Sequence, residues 1–205
     1  MNTTDEKPHS RNWVWPLTIF FLALAVRLIV LFGLEANDPS FYFPQVDSRW
    51  HHEWAQQIAD GSIFPETVFF RAPLYPLILG LLYSISGASI LFAKIFWMII
   101  SALSCVLIYR VTARVLDRGA ARIAGIIMAF YGTIVFFDSQ FLFPVLIVFL
   151  NLAAVLFLLK YSDSENPVYL YLSGLTFGFS AITRPNILAV MPFVLLWFLI
   201  ISARS

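Results

Sequence analysis

Residues 142–159 read LFPVLIVFLNLAAVLFLL, and this run decides the fold. Asn151 is its one polar side chain. A membrane-spanning β-strand alternates apolar and polar residues, and this run does not. A helix pairs its own backbone groups in hydrocarbon and crosses with about 20 apolar residues. The whole chain agrees: 60% of its residues are hydrophobic, 12% are charged, and its mean hydropathy is +0.82. A soluble domain of 205 residues cannot hide so much apolar surface. The expected class is an all-α, multi-spanning membrane protein.

Composition also excludes. The net charge of +1 offers no electrostatic basis for binding nucleic acid. Cys105 is the single cysteine, so no intrachain disulfide forms. No small-residue cleavage site follows the first apolar run, which therefore reads as an uncleaved anchor.

Working outward, residues 1–12 form a polar tail with Lys7 and Arg11, and residues 13–34 form a first span with Trp13 and Trp15 suited to the interface. Arg27 lies inside that span. Two readings stand: it snorkels to the nearer headgroups, or it pairs within the protein. Residues 73–85 are apolar but short, carry Pro73 and Pro76, and end at Ser86-Gly87. Were this piece to span, Arg110, Arg114, Arg118 and Arg122 would all lie outside, against the positive-inside rule. It is therefore expected to be interfacial or re-entrant. Residues 89–109 then run inward, 121–137 outward, 144–160 inward, 168–183 outward and 187–201 inward. That makes about six spans, with a cytoplasmic N-terminus. Gly174 and Gly178 are spaced as a small-residue packing face.

The polar residues gather in the first polar loop, residues 35–72, and the stretch PQVDSRWHHEWAQQIADGSIFPETVFFRAPLYP at 44–76 holds most of them. Residues 50–60 have helical composition, with Gly61 as the stop, and Trp50, Trp54, Gln57 and Ile58 share one face. Arg49 and Glu53 are spaced for an ion pair. The topology brings Asp47, His51, His52, Glu53, Arg71, Asp138, Gln140 and Arg184 to one side of the membrane. Asp47 reads either as a helix N-cap or as a general base. His51 and His52 read as a polar helix face or, with Asp47, as ligands of a divalent metal. Arg71 and Arg184 suit a lipid phosphate, or simply anchor to headgroups.

In combination these pieces resemble the polytopic glycosyltransferases of the GT-C fold, above all bacterial relatives of the protein O-mannosyltransferases and, more distantly, the lipid A aminoarabinose transferases. The resemblance rests on the arginine of the first span, then VDSRWHHEWAQQIADG, FFRAPLYPLILGLLYSISG, FFDSQFLFP and GLTFGFSAITRPN in that order. It implies that residues 13–205 are a GT-C-like module with an external catalytic loop at 35–88 that contains juxtamembrane helices. It implies a glycosyltransferase that moves a sugar from a polyprenyl-phosphate donor to a protein or glycolipid acceptor at the extracytoplasmic face. Asp47 then maps onto the catalytic acid of the first loop, and Arg71 and Arg184 onto the groups that hold the donor phosphate. His51, His52, Tyr75, Asp138 and Gln140 are the expected substrate contacts. No metal ligand is assigned, although a divalent metal stays open. The family has more spans than are counted here, and a glutamate often stands where Gln140 does. A second membrane subunit, a non-catalytic relative and a lipid-linked sugar transporter are the alternatives.

Overall fold

The computed structural model describes residues 13–62 and 71–202. Among them there are helices and no strand. The long helices are α1 (Val14–Asn37), α4 (Ile90–Val115) and α7 (Pro144–Ser164). Each is long and apolar enough to cross a membrane. Their order follows from local chemistry. The Ser89 hydroxyl caps α4 by accepting from Phe92 N, and Pro144 starts α7 where its missing N–H costs nothing.

A fourth candidate span is broken. Helices α5 (Arg118–Phe130) and α6 (Gly132–Ser139) meet at Tyr131 with a 49° bend. Asp117 caps α5 through Gly119 N and Ala120 N. The expected six spans are thus not met: among the described residues three helices qualify, or four if the bent pair is one span. The reason is length. Helix α8 (Pro167–Thr183) has 17 residues and reaches only about 26 Å at 1.5 Å per residue. Beyond it the chain makes a 3-10 turn, Pro185–Val190, before the 12-residue α9 (Met191–Ser202).

Arg27 pairs rather than snorkels. It is wholly buried, and its Nε donates to Asp138 Oδ2 at 3.0 Å and to Ser101 Oγ at 2.8 Å. Its Nη1 donates to the carbonyls of Ala23 at 3.2 Å and Ala129 at 3.3 Å. The Ser101 hydroxyl also donates to Asp138. One arginine therefore ties α1, α4, α5 and α6 together. The chain's most expensive intramembrane charge is offset by a carboxylate and backbone oxygens.

The two ends of the bundle differ. At one end the Arg110 guanidinium lies 4.7 Å from the Trp13 ring and Arg122 lies 4.4 Å from Trp15. There too Arg114 Nε meets Asp163 Oδ2 at 3.3 Å. At the other end lie α2 (Val46–Ala59) and α3 (Leu74–Ser86). Helix α3 has 13 residues, too few to cross, and Gly87 ends it with a left-handed φ of 65°. It packs on α2 through Gly80, where an added Cβ would stand 2.6 Å from Ile58 Cγ2.

Gly174 and Gly178 do not form the expected packing face. A Cβ on either would meet nothing within 4 Å. The buried face of α8 is instead Ser173, Phe177, Ser180 and Thr183. Ser173 Oγ donates to Ala154 O at 3.0 Å and Ser180 Oγ to Asn151 Oδ1 at 2.7 Å, so hydroxyls join α8 to α7.

Candidate functional site

Helix α2 presents the site. Its N-cap is Gln45, so Asp47 lies in the first turn and is not the cap. Val46, just before it, takes φ +50°, a conformation that β-branched residues avoid. The buried face of α2 is Ser48, His51, Trp54 and Ala55. Gln57, expected to share a helix face with Trp50, Trp54 and Ile58, is exposed, while Ile58 packs on Gly80 of α3. The expected ion pair of Arg49 and Glu53 forms at 2.6 Å and is exposed.

Asp47 Oδ1 accepts from Arg71 Nη2 at 2.7 Å. The Arg71 guanidinium also lies 5.3 Å from the Trp50 ring. The hydrogen bond from Arg71 holds the Asp47 carboxyl below its ordinary range, and the arginine's charge adds to it. Asp47 is thus ionised, and 53% of its side chain remains exposed.

These residues border an open cavity of about 730 Å³, within the range of ligand pockets. Its walls are Asp47, His51 and Arg71 on one side, and Thr183, Arg184 and Asn186 on the other. Phe143 lies between them, with the Arg184 guanidinium 5.1 Å from its ring. Arg184 is brought here because α8 stops short: Pro185 cannot continue it, and Arg184 adopts an extended conformation. Residues separated by more than 130 positions therefore face one space.

His51 is 1% exposed, and neither ring nitrogen has a hydrogen-bond partner among the described residues. Burial, then the charge of Arg71, pushes its pKa down to about 4, so the ring is neutral. Behind it Tyr75 is buried and stacks on Trp97 with centroids 4.7 Å apart.

Four expected contacts lie elsewhere. Asp138 is no loop residue; it lies in the last turn of α6, is 2% exposed and belongs to the Arg27 cluster. His52 Nδ1 is engaged with Tyr83 Oη at 2.7 Å, and Tyr75 sits in the core behind His51. Gln140 lines a separate cavity of about 80 Å³ with Lys94. Lys94, the one acid or base of α4 between Ile90 and Tyr109, is the residue the sequence reading passed over. The argument applied to Arg27, a lone cation in an apolar run, would have singled it out. Among the described residues no three His, Cys, Asp or Glu side chains gather as a metal site.

An all-helical bundle with several membrane-length helices and a carboxylate–arginine cavity at one end defines the class: a polytopic membrane protein with a polar site at its interface. A family model described as dolichyl-phosphate-mannose-protein mannosyltransferase matches residues 70–205, and the chain belongs to that family. The match takes in Arg71 and Arg184, and Asp47 and His51 precede it. No curated protein and no solved structure matches the chain.

Proposed function

We propose that the chain transfers a sugar from a polyprenyl-phosphate donor to an acceptor at the extracytoplasmic face, with Asp47 as the general base. The observation that carries this reading is the single cavity shared by Asp47, Arg71 and Arg184. The acceptor oxygen attacks the anomeric carbon, and the bond from that carbon to the phosphate oxygen breaks with its electron pair going to the phosphate. The acceptor proton passes to Asp47. Arg71 and Arg184 receive the negative charge that grows on the leaving phosphate. That phosphate leaves without acid assistance, so one carboxylate suffices, unlike the pair used in glycoside hydrolysis.

The pairing of Asp47 with Arg71 has a role in this scheme. An incoming donor phosphate competes for the same guanidinium. When Arg71 turns to the phosphate, Asp47 loses its partner and becomes a stronger base as the substrate arrives. His51, a neutral ring on the cavity wall, lies beside the place taken by the sugar or acceptor. The arginine-rich end of the bundle, with Arg110, Arg114 and Arg122, supports a cytoplasmic placement, which puts the cavity outside.

The test is transfer of labelled mannose from polyprenyl-phosphate donors in membranes that hold the full chain, beside Asp47→Asn at matched expression. Loss of a base costs about 10²–10⁴-fold in rate. Equal transfer by both proteins removes Asp47 from the mechanism. A folded wild-type chain that transfers nothing from any polyprenyl-phosphate sugar overturns the reading as a whole.

A further inference from the structure

A second cavity opens at the same end of the bundle. It measures about 80 Å³ and lies beside the N-terminus of α2, with Gln45 and Ser48 on its wall. Lys94 reaches it from α4 and is 8% exposed. Its ammonium donates to Phe41 O at 3.0 Å and rests 3.6 Å from the Phe41 ring centroid. No carboxylate lies within ion-pair distance of it among the described residues. An ammonium carries three donors, and one carbonyl takes one of them. A buried cation normally has a counter-ion.

The walls point to what that counter-ion is. Ser48 brings a hydroxyl and Gln140 an amide with one N–H still to give, its other going to Ser139 Oγ at 3.1 Å, while Ser139 spends its own hydroxyl on Phe136 O at 2.7 Å. The positive end of the 14-residue α2 begins at Gln45 and adds potential of the same sign. Asp38 on the wall and Glu35 nearby attract the ammonium without reaching ion-pair distance, and Asp38 Oδ1 is taken up by Ser40 N at 2.8 Å and Ser40 Oγ at 2.7 Å. The volume is several times the roughly 10–15 Å³ that one water needs. It has room for a group of carboxylate or phosphate size.

We propose that this cavity is an oxyanion site that takes one carboxylate or phosphate group, with Lys94 as its counter-ion and Ser48 and Gln140 as hydrogen-bond donors. Ser48 directly follows Asp47, so the bound group lies on the other side of α2's first turn from the large cavity. The site does not depend on the sugar-transfer reading, and its test measures no transfer.

The full chain in an uncharged detergent is titrated with inorganic phosphate and with acetate, at ionic strength held constant by chloride, while its unfolding temperature is followed. A saturable rise of several degrees is expected for at least one anion in the wild type. Lys94→Met removes the rise, and Gln140→Leu moves its half-effect concentration at least tenfold. No saturable rise with either anion overturns the site, as does an undiminished rise in Lys94→Met. Should Lys94→Met not fold, Ser48→Ala and Gln140→Leu decide it, and a wild-type response in both is equally fatal. Nanodiscs separate the sources. A wild-type chain already stabilised in phosphatidic acid discs, and there unresponsive to phosphate, takes a lipid headgroup. An equal response in phosphatidic acid and phosphatidylcholine discs assigns a water-borne anion.

Discussion

Gly80 sets how closely α2 approaches α3, and Gly80→Ala tests whether that spacing holds the site. The new Cβ would stand 2.6 Å from Ile58 Cγ2, 2.7 Å from Ile58 Cβ and 3.2 Å from Ala55 O. Carbon pairs rest at about 3.5–4.0 Å, so the helices must part by about 1 Å. Asp47 is in the first turn of α2, and Arg71 leads into α3, so the parting falls across their 2.7 Å bond. Overpacking costs about 1–3 kcal/mol, and alanine returns about 1 kcal/mol over glycine in a helix, which leaves a stability loss of about 0–2 kcal/mol. A 1 Å misplacement of reacting groups costs about 10²-fold in rate. The expected signature is thus a large loss of sugar transfer with a small loss of unfolding temperature. The geometry also dictates the rescue. Ile58→Ala removes the Cγ2 contact and leaves the Cβ contact, so it restores little. Ile58→Gly clears both, at the cost of a helical glycine. Full transfer by Gly80→Ala, or a failure of Ile58→Gly to restore it, would refute the reasoning.

Other outcomes follow from the same structure. Asp138→Asn leaves Arg27 buried beside a neutral amide and should cost about 3–5 kcal/mol, whereas Arg27→Met with Asp138→Leu recovers much of that; thermal unfolding of the three proteins in detergent measures it. Asp47 is held below its ordinary range by Arg71 and His51 titrates at about 4, so transfer should stay flat from pH 8 to 5; an inflection near 6.5 that His51→Phe abolishes would contradict this. Stability behaves differently. The depressed His51 pKa means that the unfolded chain takes up a proton first as the pH falls below about 6.5, so stability at pH 5 should be about 2 kcal/mol lower than at pH 7, and His51→Phe should flatten that slope. With Cys105 replaced, a cysteine at Ser62 should react with an impermeant external thiol reagent and one at Ser164 should not; labelling at Ser164 would reverse the proposed orientation.

What could be read from the sequence was what depends on near neighbours. Residues 142–159 were apolar without alternation, and α7 is the helix that follows. Gly61 was read as the stop of α2, and it takes φ +98° just past the helix end. The short run after Pro73 was too brief to cross, and α3 has 13 residues. The misses share a cause. Asp138 looked like a loop residue because it ends an apolar run, but its partner Arg27 is 111 positions away, beyond any periodicity. The glycines of α8 had the right spacing for packing, but spacing does not say which face a neighbour covers. The last two runs were counted as spans on hydropathy, which ignores the few missing residues that leave a helix short. Of the site, Asp47, His51, Arg71 and Arg184 were all named from residue type and expected side, and their meeting in one cavity could be seen only once the chain was folded.

The bend at Tyr131 bears on motion. Breaking a helix inside hydrocarbon releases carbonyls that have no water to turn to. Here one of them, on Ala129, accepts from Arg27, whose other nitrogen holds Asp138 just beyond the bend. The elbow is thus cross-braced on both of its arms by a single side chain rooted in α1. It is a fixed strut, not a joint. Any opening of the cavity must therefore come from pieces without such a brace, and the shallow α2–α3 pair and the turn after Arg184 are the parts that border the cavity and lie outside it.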